Sequence, residues 1–415
     1  MNFAALDLHP AIQSALDECG YSEMTPIQRQ AIVPARRGRD ILANAQTGTG
    51  KTAAFSLPVL QQLADKPKEL ESGQVRALIL TPTRELAQQL FDTIGRYNQH
   101  LGLRMVAVYG GVNLDTQMKK LRRGADLLIA TPGRMLEHIN ACNVNLGTTE
   151  FVVLDEADRM LDMGFVTDVM SILDVTPKSR QTLLFSATLS DSVHKLSNKI
   201  LTRPEKIKAA RHNTIADTIE HVVYPVEEQR KADLFAELIK EENWFQVLVF
   251  TSTKAQANEL MMDLKYDGIE AVLCHGDKSQ GARRRAVADF KAGKIQVLVA
   301  TEVAARGLDI QGLEQVVNYN LPYLAEDYVH RVGRAGRAGM AGKAISFVSR
   351  EEEQALASIE KLIGSQIRRV FRKGYEVGSR DGLRKRIHKK GPKRRINKAT
   401  RTQTIAKKAA KPKKR

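Results

Sequence analysis

Ile41-Leu42-Ala43-Asn44-Ala45-Gln46-Thr47-Gly48-Thr49-Gly50-Lys51-Thr52-Ala53-Ala54-Phe55 changes character twice within one short stretch. An apolar run of strand character leads into a loop with two glycines, and the loop leads into helix-favouring residues. Glycines in such a loop let backbone N–H groups close around phosphate oxygens at a helix N-terminus. In that arrangement Lys51 reaches the β- and γ-phosphates of a nucleotide, and the Thr52 hydroxyl coordinates Mg2+. Ala45 stands where the simple pattern has its first glycine, so the strand–loop–helix context supports the reading more than the glycine count does.

The same grammar extends in both directions. Strand-like runs recur at Ala77–Leu80, Met105–Val108, Asp126–Ile129, Phe151–Leu154 and Thr182–Phe185, with amphipathic stretches between them. A second series follows at Val222-Val223, Val247–Phe250, Ala271–Leu273, Val297–Val299, Val316-Val317 and Ile345–Phe347. Near-continuous apolar strands alternating with helices predict an α/β fold whose mostly parallel sheets carry helices on both faces. The polar stretch Ala209–Thr214 separates the two series and predicts a linker between two domains. Polar or glycine-containing segments follow the strands at Thr81–Arg84, Gly110-Gly111, Thr131–Arg134, Ser186–Thr188, Thr251–Thr253 and Thr301–Asp309. Ligands of open parallel sheets bind beyond the carboxyl ends of the strands, so these segments crowd one edge of each domain.

Asp155-Glu156-Ala157-Asp158 follows directly on the apolar Phe151–Leu154. An acidic residue at the end of such a strand holds Mg2+ in phosphate-loop enzymes. That pairs Asp155 with Thr52 as metal ligands and places Glu156 to polarise an attacking water. In the second series, His330-Arg331-Val332-Gly333-Arg334-Ala335-Gly336-Arg337 spaces three arginines by three residues. The spacing predicts one shared helical face. A guanidinium suits developing phosphoryl charge because its planar fork stays protonated and donates two bonds.

These motifs, in this order, resemble those of the DEAD-box RNA helicases of superfamily 2, over roughly residues 1–365. Gly20–Gln28 resembles the Q motif, with Phe3 as its upstream aromatic. The resemblance implies two tandem RecA-like domains, ATP as substrate with Mg2+, and RNA as partner. It implies that Gln28 reads adenine, Phe3 packs near the base, and Ala45, Gln46, Thr47, Gly48, Thr49, Gly50, Lys51, Thr52 and Asp309 hold the nucleotide. Lys51, Asp155, Glu156, Arg334 and Arg337 are then the catalytic set, the last two as arginine fingers. Asp158, Ser186, Thr188 and His330 couple hydrolysis to strand separation. The implied RNA contacts are Pro82, Thr83, Arg84, Gly110, Gly111, Thr131, Pro132, Gly133 and Arg134, then Thr251, Arg283, Thr301, Arg306 and Gly307. Glu302 stands where the family more usually has Asp, Ala335 where it has Thr, and Val303 and Val332 replace isoleucines. Within the family the chain resembles the bacterial RhlE-like group, which implies ribosomal precursors or RNA-degradation proteins as further partners.

The expected organisation is a Q-motif region at 1–31, an ATP-binding domain at 32–208, a linker at 209–217, a C-terminal helicase domain at 218–371 and a basic tail at 372–415. Net charge is +17, yet residues 366–415 alone hold 21 Lys or Arg against two acids, while the remainder holds 43 bases and 45 acids. The excess charge is therefore all in the tail, which lacks apolar periodicity and predicts a disordered, phosphate-binding anchor. Cys19, Cys142 and Cys274 show no metal-ligand spacing, no apolar run is long enough to span a membrane, and the N-terminus lacks a secretory pattern. A reducing cytoplasm is the expected compartment. Two other readings meet the same motifs less fully: an RNA clamp or annealing chaperone with little unwinding, and a DNA-translocating superfamily 2 motor.

Overall fold

The computed structural model describes residues 2–45, 48–208, 219–305, 308, 310, 312–336 and 342–376. All belong to one unit, Met1–Val377. The predicted linker at 209–217, the tail beyond residue 376, and Gln46, Thr47, Arg306, Gly307, Asp309 and Arg337 lie outside the described residues.

Among the described residues, fourteen strands form two seven-stranded sheets. The first contains β1 (Ile41–Asn44), β2 (Val75–Leu80), β3 (Met105–Val108), β4 (Ala125–Ala130), β5 (Phe151–Leu154), β6 (Gln181–Ser186) and β7 (Glu205–Lys208). The second contains β8 (Ile219–Pro225), β9 (Val247–Thr251), β10 (Ala271–Cys274), β11 (Val297–Thr301), β12 (Gln315–Asn318), β13 (Gly342–Val348) and β14 (Arg368–Arg369). Their orders are β3-β4-β2-β5-β6-β1-β7 and β10-β11-β9-β12-β13-β8-β14, which is one winding used twice. Every pairing is parallel. β2, β4, β5 and β6 are buried at every position, as strands covered by helices on both faces must be. These are the tandem RecA-like sheets that the motif order implied.

The winding places β5, β6 and β1 side by side, so the segments that follow them are neighbours. Register fixes the alignment: Leu154 lies opposite Leu184, and Asn44 opposite Ser186. Backbone bonding carries on past the strand ends, with Ala45 N–H donating to Ser186 O and Asp155 N–H to Leu80 O.

Two edge strands escaped the sequence reading. β7 buries only Ile207, and both residues of β14 are exposed, so neither carries an apolar signature. Packing also runs past the expected domain end at 371. The Arg230 guanidinium lies 4.4 Å from the Tyr375 ring centre and donates to Gly374 O, and Tyr375 Oη donates to Glu237 at 2.8 Å. An aromatic ring caught between a cation and a carboxylate orders these residues although they look like tail. Tyr375→Ala is expected to destabilise the second sheet's half by roughly 2 kcal/mol, read as a lower denaturation midpoint with an unchanged midpoint for the first half.

Candidate active site and nucleic-acid interface

Lys51 opens the helix Lys51–Asp65, and Asp155 follows β5. Their side chains are both buried, with Lys51 Nζ 3.7 Å from Asp155 Oδ1. Neither atom has a hydrogen-bond partner. Burial pushes the Asp155 carboxyl up to about 6 against the pull of Lys51, and the charge of Glu156 pushes in the same direction as burial. A buried ammonium and carboxylate with spare bonding capacity fit a phosphate and a hard cation held through oxygen. Among the described residues no group of three or more His, Cys, Asp or Glu forms a metal cage. A Mg2+ here would take its other ligands from phosphate, water and the Thr52 hydroxyl.

Glu156 has φ 56° and ψ 52°, a left-handed conformation that costs a non-glycine residue on the order of 1 kcal/mol. It is the N-cap of Ala157–Asp162, and its carboxylate meets Arg159 at 3.1 Å with both side chains buried. Arg159 was not singled out from sequence; its i,i+3 spacing from Glu156 was the available signal.

Asp158 is joined to the segment after β6. Its Oδ2 accepts from Thr188 N–H at 2.8 Å and from Thr188 Oγ1 at 3.1 Å. Ser186 Oγ donates to Thr188 O at 2.7 Å and accepts from Asp158 N–H at 3.3 Å. Three of the four residues expected to couple hydrolysis to strand separation therefore form one hydrogen-bonded ring, and His330 lies in the second half.

Gln28 is buried in the helix Pro26–Arg36. Its Oε1 accepts from Thr25 N–H at 2.8 Å while Nε2 donates to Gly50 O at 3.1 Å, tying the Q-motif segment to the phosphate loop. Gly50 sits at φ +91°, and a Cβ there would lie 2.5 Å from Gln28 Nε2. Phe3 is buried against Tyr21, ring centres 6.3 Å apart, and so braces this segment within the first core.

The expected RNA residues divide into presented and supporting groups. Thr83 caps the helix Arg84–Asn98 by accepting from Leu86 N–H. Arg84 reaches over Gly111, whose φ is +81° and where a Cβ would collide with Arg84 Nη1. Pro82, Thr131 and Pro132 are buried, and Gly110, Gly133 and Arg134 are half-buried. Arg134 faces inward: it donates to Val112 O at 2.7 Å and Gln117 Oε1 at 3.0 Å, and Gln117 donates to Tyr109 O at 3.0 Å. It braces the Gly110-Gly111 turn through Gln117, a residue that sequence reading missed. Thr251 and Thr301 end β9 and β11 and are buried. Arg283 is also buried and pairs with Glu85 across the two sheets at 3.0 Å.

Arg331 and Arg334, the two spaced arginines among the described residues, do not share a helical face. The helix Ala325–Val332 ends before Arg334, because Gly333 is its C-cap. Arg331 is buried, paired with Glu302, bonded to Asn318 Oδ1 and Asn320 O, and 5.0 Å from the Phe250 ring centre. Arg334 donates to Leu308 O at 2.9 Å, and His330 lies in the last turn of the helix.

Residues 25–196 match the DEAD/DEAH box helicase family model, and residues 230–339 match the helicase conserved C-terminal domain. The chain belongs to the DEAD-box family of ATP-dependent RNA helicases. It is 42% identical over 370 residues to an ATP-dependent RNA helicase RhlB of Pseudomonas aeruginosa, covering 88% of this chain and 93% of that protein. It is 41% identical to the DEAD-box ATP-dependent RNA helicase CshA of Streptococcus pneumoniae, covering 87% of this chain and 68% of that one. Among solved structures, S. cerevisiae Dbp5 bound to RNA and ADP BeF3 aligns with a TM-score of 0.78 at 31% identity, covering 89% of this chain and 95% of that one. The DEAD-box helicase Mss116 bound to ssRNA and UDP-BeF aligns at 0.80 and 27% identity, covering 90% and 80%.

The candidate phosphate loop of this helicase yields a paired test. Gly48 and Gly50 both have positive φ, but a Cβ on Gly48 meets nothing within 4 Å. Gly48→Ala is therefore expected to cost about 1 kcal/mol of backbone strain. Gly50→Ala carries that strain and also displaces Gln28, so its ATP affinity should fall further, by about tenfold relative to Gly48→Ala in equilibrium nucleotide titrations.

Proposed function

We propose that this helicase binds ATP and single-stranded RNA together, joins its two halves around them, and so opens short RNA duplexes locally. The observation that supports this is the division of the candidate catalytic groups. Lys51, Asp155 and Glu156 belong to the first sheet and Arg334 to the second, so no half holds the full set. A ligand touching both halves favours their union, and two such ligands reinforce each other's binding.

Lys51 and the loop N–H groups of Gly48, Thr49 and Gly50 hold the phosphates, with Gln46 and Thr47 completing the loop. Asp155 and Thr52 hold Mg2+, which neutralises phosphate charge when bound. Glu156 takes a hydrogen bond from the attacking water, its carboxylate held in place by Arg159 of the helix it caps. Arg334 and Arg337 meet the charge that develops on the transferred phosphoryl group, an effect worth about 10³–10⁵ in rate where such arginines have been removed. The Asp158–Ser186–Thr188 ring transmits a change at the acidic tetrad to the end of β6.

Threonines, arginines and turn N–H groups on the RNA side grip phosphates and sugars, which makes binding tolerant of sequence. Contacts to the 2′-hydroxyl favour RNA over DNA. The basic tail adds a salt-sensitive anchor. Cytoplasmic work on ribosomal precursors or in RNA turnover suits such an enzyme.

Lys51→Ala is expected to abolish RNA-stimulated ATP hydrolysis in a phosphate-release assay; appreciable turnover would remove Lys51 from its role. Glu156→Gln should retain ATP and RNA binding while losing at least about 100-fold in turnover. Strand separation seen with ATP and equally with a non-hydrolysable analogue at every enzyme level would favour the clamp or annealing reading.

A further inference from the structure

Between the two sheets, beside the Arg283–Glu85 pair, lies a second contact to which neither the family motifs nor the comparisons give a role. Arg284 is on the helix Gln280–Lys291 of the second half. Its Nη2 donates to Gln88 Oε1 at 3.0 Å and to Tyr109 Oη at 3.2 Å, both on the first half. Tyr109 Oη itself donates to Gln88 Oε1 at 2.6 Å. The three groups close a small ring in which one amide oxygen accepts twice and one hydroxyl both donates and accepts.

The position of each member gives the ring its meaning. Gln88 lies one turn beyond Arg84 on the helix Arg84–Asn98. Tyr109 immediately precedes Gly110-Gly111, and its carbonyl is held by Gln117. Both acceptors of Arg284 therefore sit on segments assigned above to RNA, whereas Arg284 rides on the second half. Tyr109 is buried and its hydroxyl is held on Gln88, so the second half meets an acceptor pair that adjoins the expected RNA contacts.

We propose that Arg284, with Tyr109 and Gln88, is a latch that reads RNA occupancy of the first half and converts it into docking of the second. Arg284 is a positioning residue, since it touches neither nucleotide nor the reacting atoms. The inference rests on the coupled-binding function proposed above and adds the group that carries part of the coupling. Planarity matters here, because two acceptors are reached from one guanidinium nitrogen held in a fixed direction. Neutral acceptors also make the contact more a matter of geometry than of charge.

The test measures the affinity of a fluorescein-labelled single-stranded oligouridylate with and without a non-hydrolysable ATP analogue, using full-length protein. The ratio of the two affinities is the coupling factor. Arg284→Ala is expected to lower that factor about tenfold while leaving RNA affinity without nucleotide close to wild type. Tyr109→Phe should lower it in the same direction, and the double variant should fall no further than Arg284→Ala alone, as members of one ring require. Arg285→Ala removes the same charge from the next, exposed position and should keep the wild-type factor. An unchanged factor in Arg284→Ala, independent losses that add, or an equal loss in Arg285→Ala each overturn the latch. A wild-type protein whose RNA affinity ignores the nucleotide overturns the coupled-binding function itself, an outcome visible before any variant is compared.

Discussion

The buried approach of Lys51 to Asp155 is the constraint on which the rest of the site turns. Opposite charges withdrawn from water recover their solvation only with good geometry and further hydrogen bonds. Here the separation is 3.7 Å, and neither facing atom is hydrogen-bonded. The pair is thus held together by the fold more than by its own bonding. Parallel β5, β6 and β1 set the Cα positions, Gly50 turns the chain at φ +91°, and Gln28 pins the loop through Gly50 O. A phosphate between such groups supplies acceptors to the lysine, and a cation supplies charge to the carboxylate. On the function proposed above, the incompleteness of the pair is what a bound nucleotide would correct.

The second sheet repeats the winding without repeating this device, and the contrast explains why one nucleotide site arises from two similar halves. The helix after β8 also opens on a lysine, Lys231, in the position that Lys51 holds after β1. No glycine loop precedes it: β8 is followed by Val226-Glu227-Glu228. Lys231 is fully buried and already bonded to Glu228 at 2.6 Å and Glu352 at 2.5 Å. Its charge is spent on joining the start of that helix to the segment after β13. The strand ends of the second half differ, with threonines closing β9 and β11 and Arg334 following the helix Ala325–Val332.

Legibility in the sequence followed burial. Central strands such as Ala125–Ala130 are apolar throughout because both faces are covered, and they were readable as runs. Glu205–Lys208 and Arg368–Arg369 are strands only because a neighbour pairs with them, so their composition held no signal. The candidate catalytic residues were proposed from sequence because phosphate chemistry demands particular groups at fixed offsets. The direction an arginine faces was not readable. Arg134 and Arg331 share their residue type with Arg84 and Arg334, yet the first two are drawn inward by Gln117 and by Glu302. Three-residue spacing suggested a common face for Arg331 and Arg334, but Gly333 ends the helix between them, a local choice that spacing alone does not register.

That break in the helix has a consequence for the arginine that follows it. A side chain meant to meet transient charge must start from a fixed base, since mobility of its attachment subtracts from what it stabilises. Arg331 supplies the base: Glu302 accepts from its Nε, Asn318 Oδ1 and Asn320 O both accept from its Nη1, and Phe250 lies against it. Glu302 begins the segment after β11, so the RNA-side strand end and the arginine-bearing turn are fastened to each other. The glutamate that replaces the family's more usual aspartate keeps this link, its longer side chain reaching a guanidinium already fixed by two other elements. Gly333 then turns the chain so that Arg334 leaves the buried face and bonds to Leu308 O, beside the segment expected to meet the ribose. Arginines three residues apart thereby differ in their surroundings: the buried one holds the turn, and the one past the glycine bonds to Leu308 O.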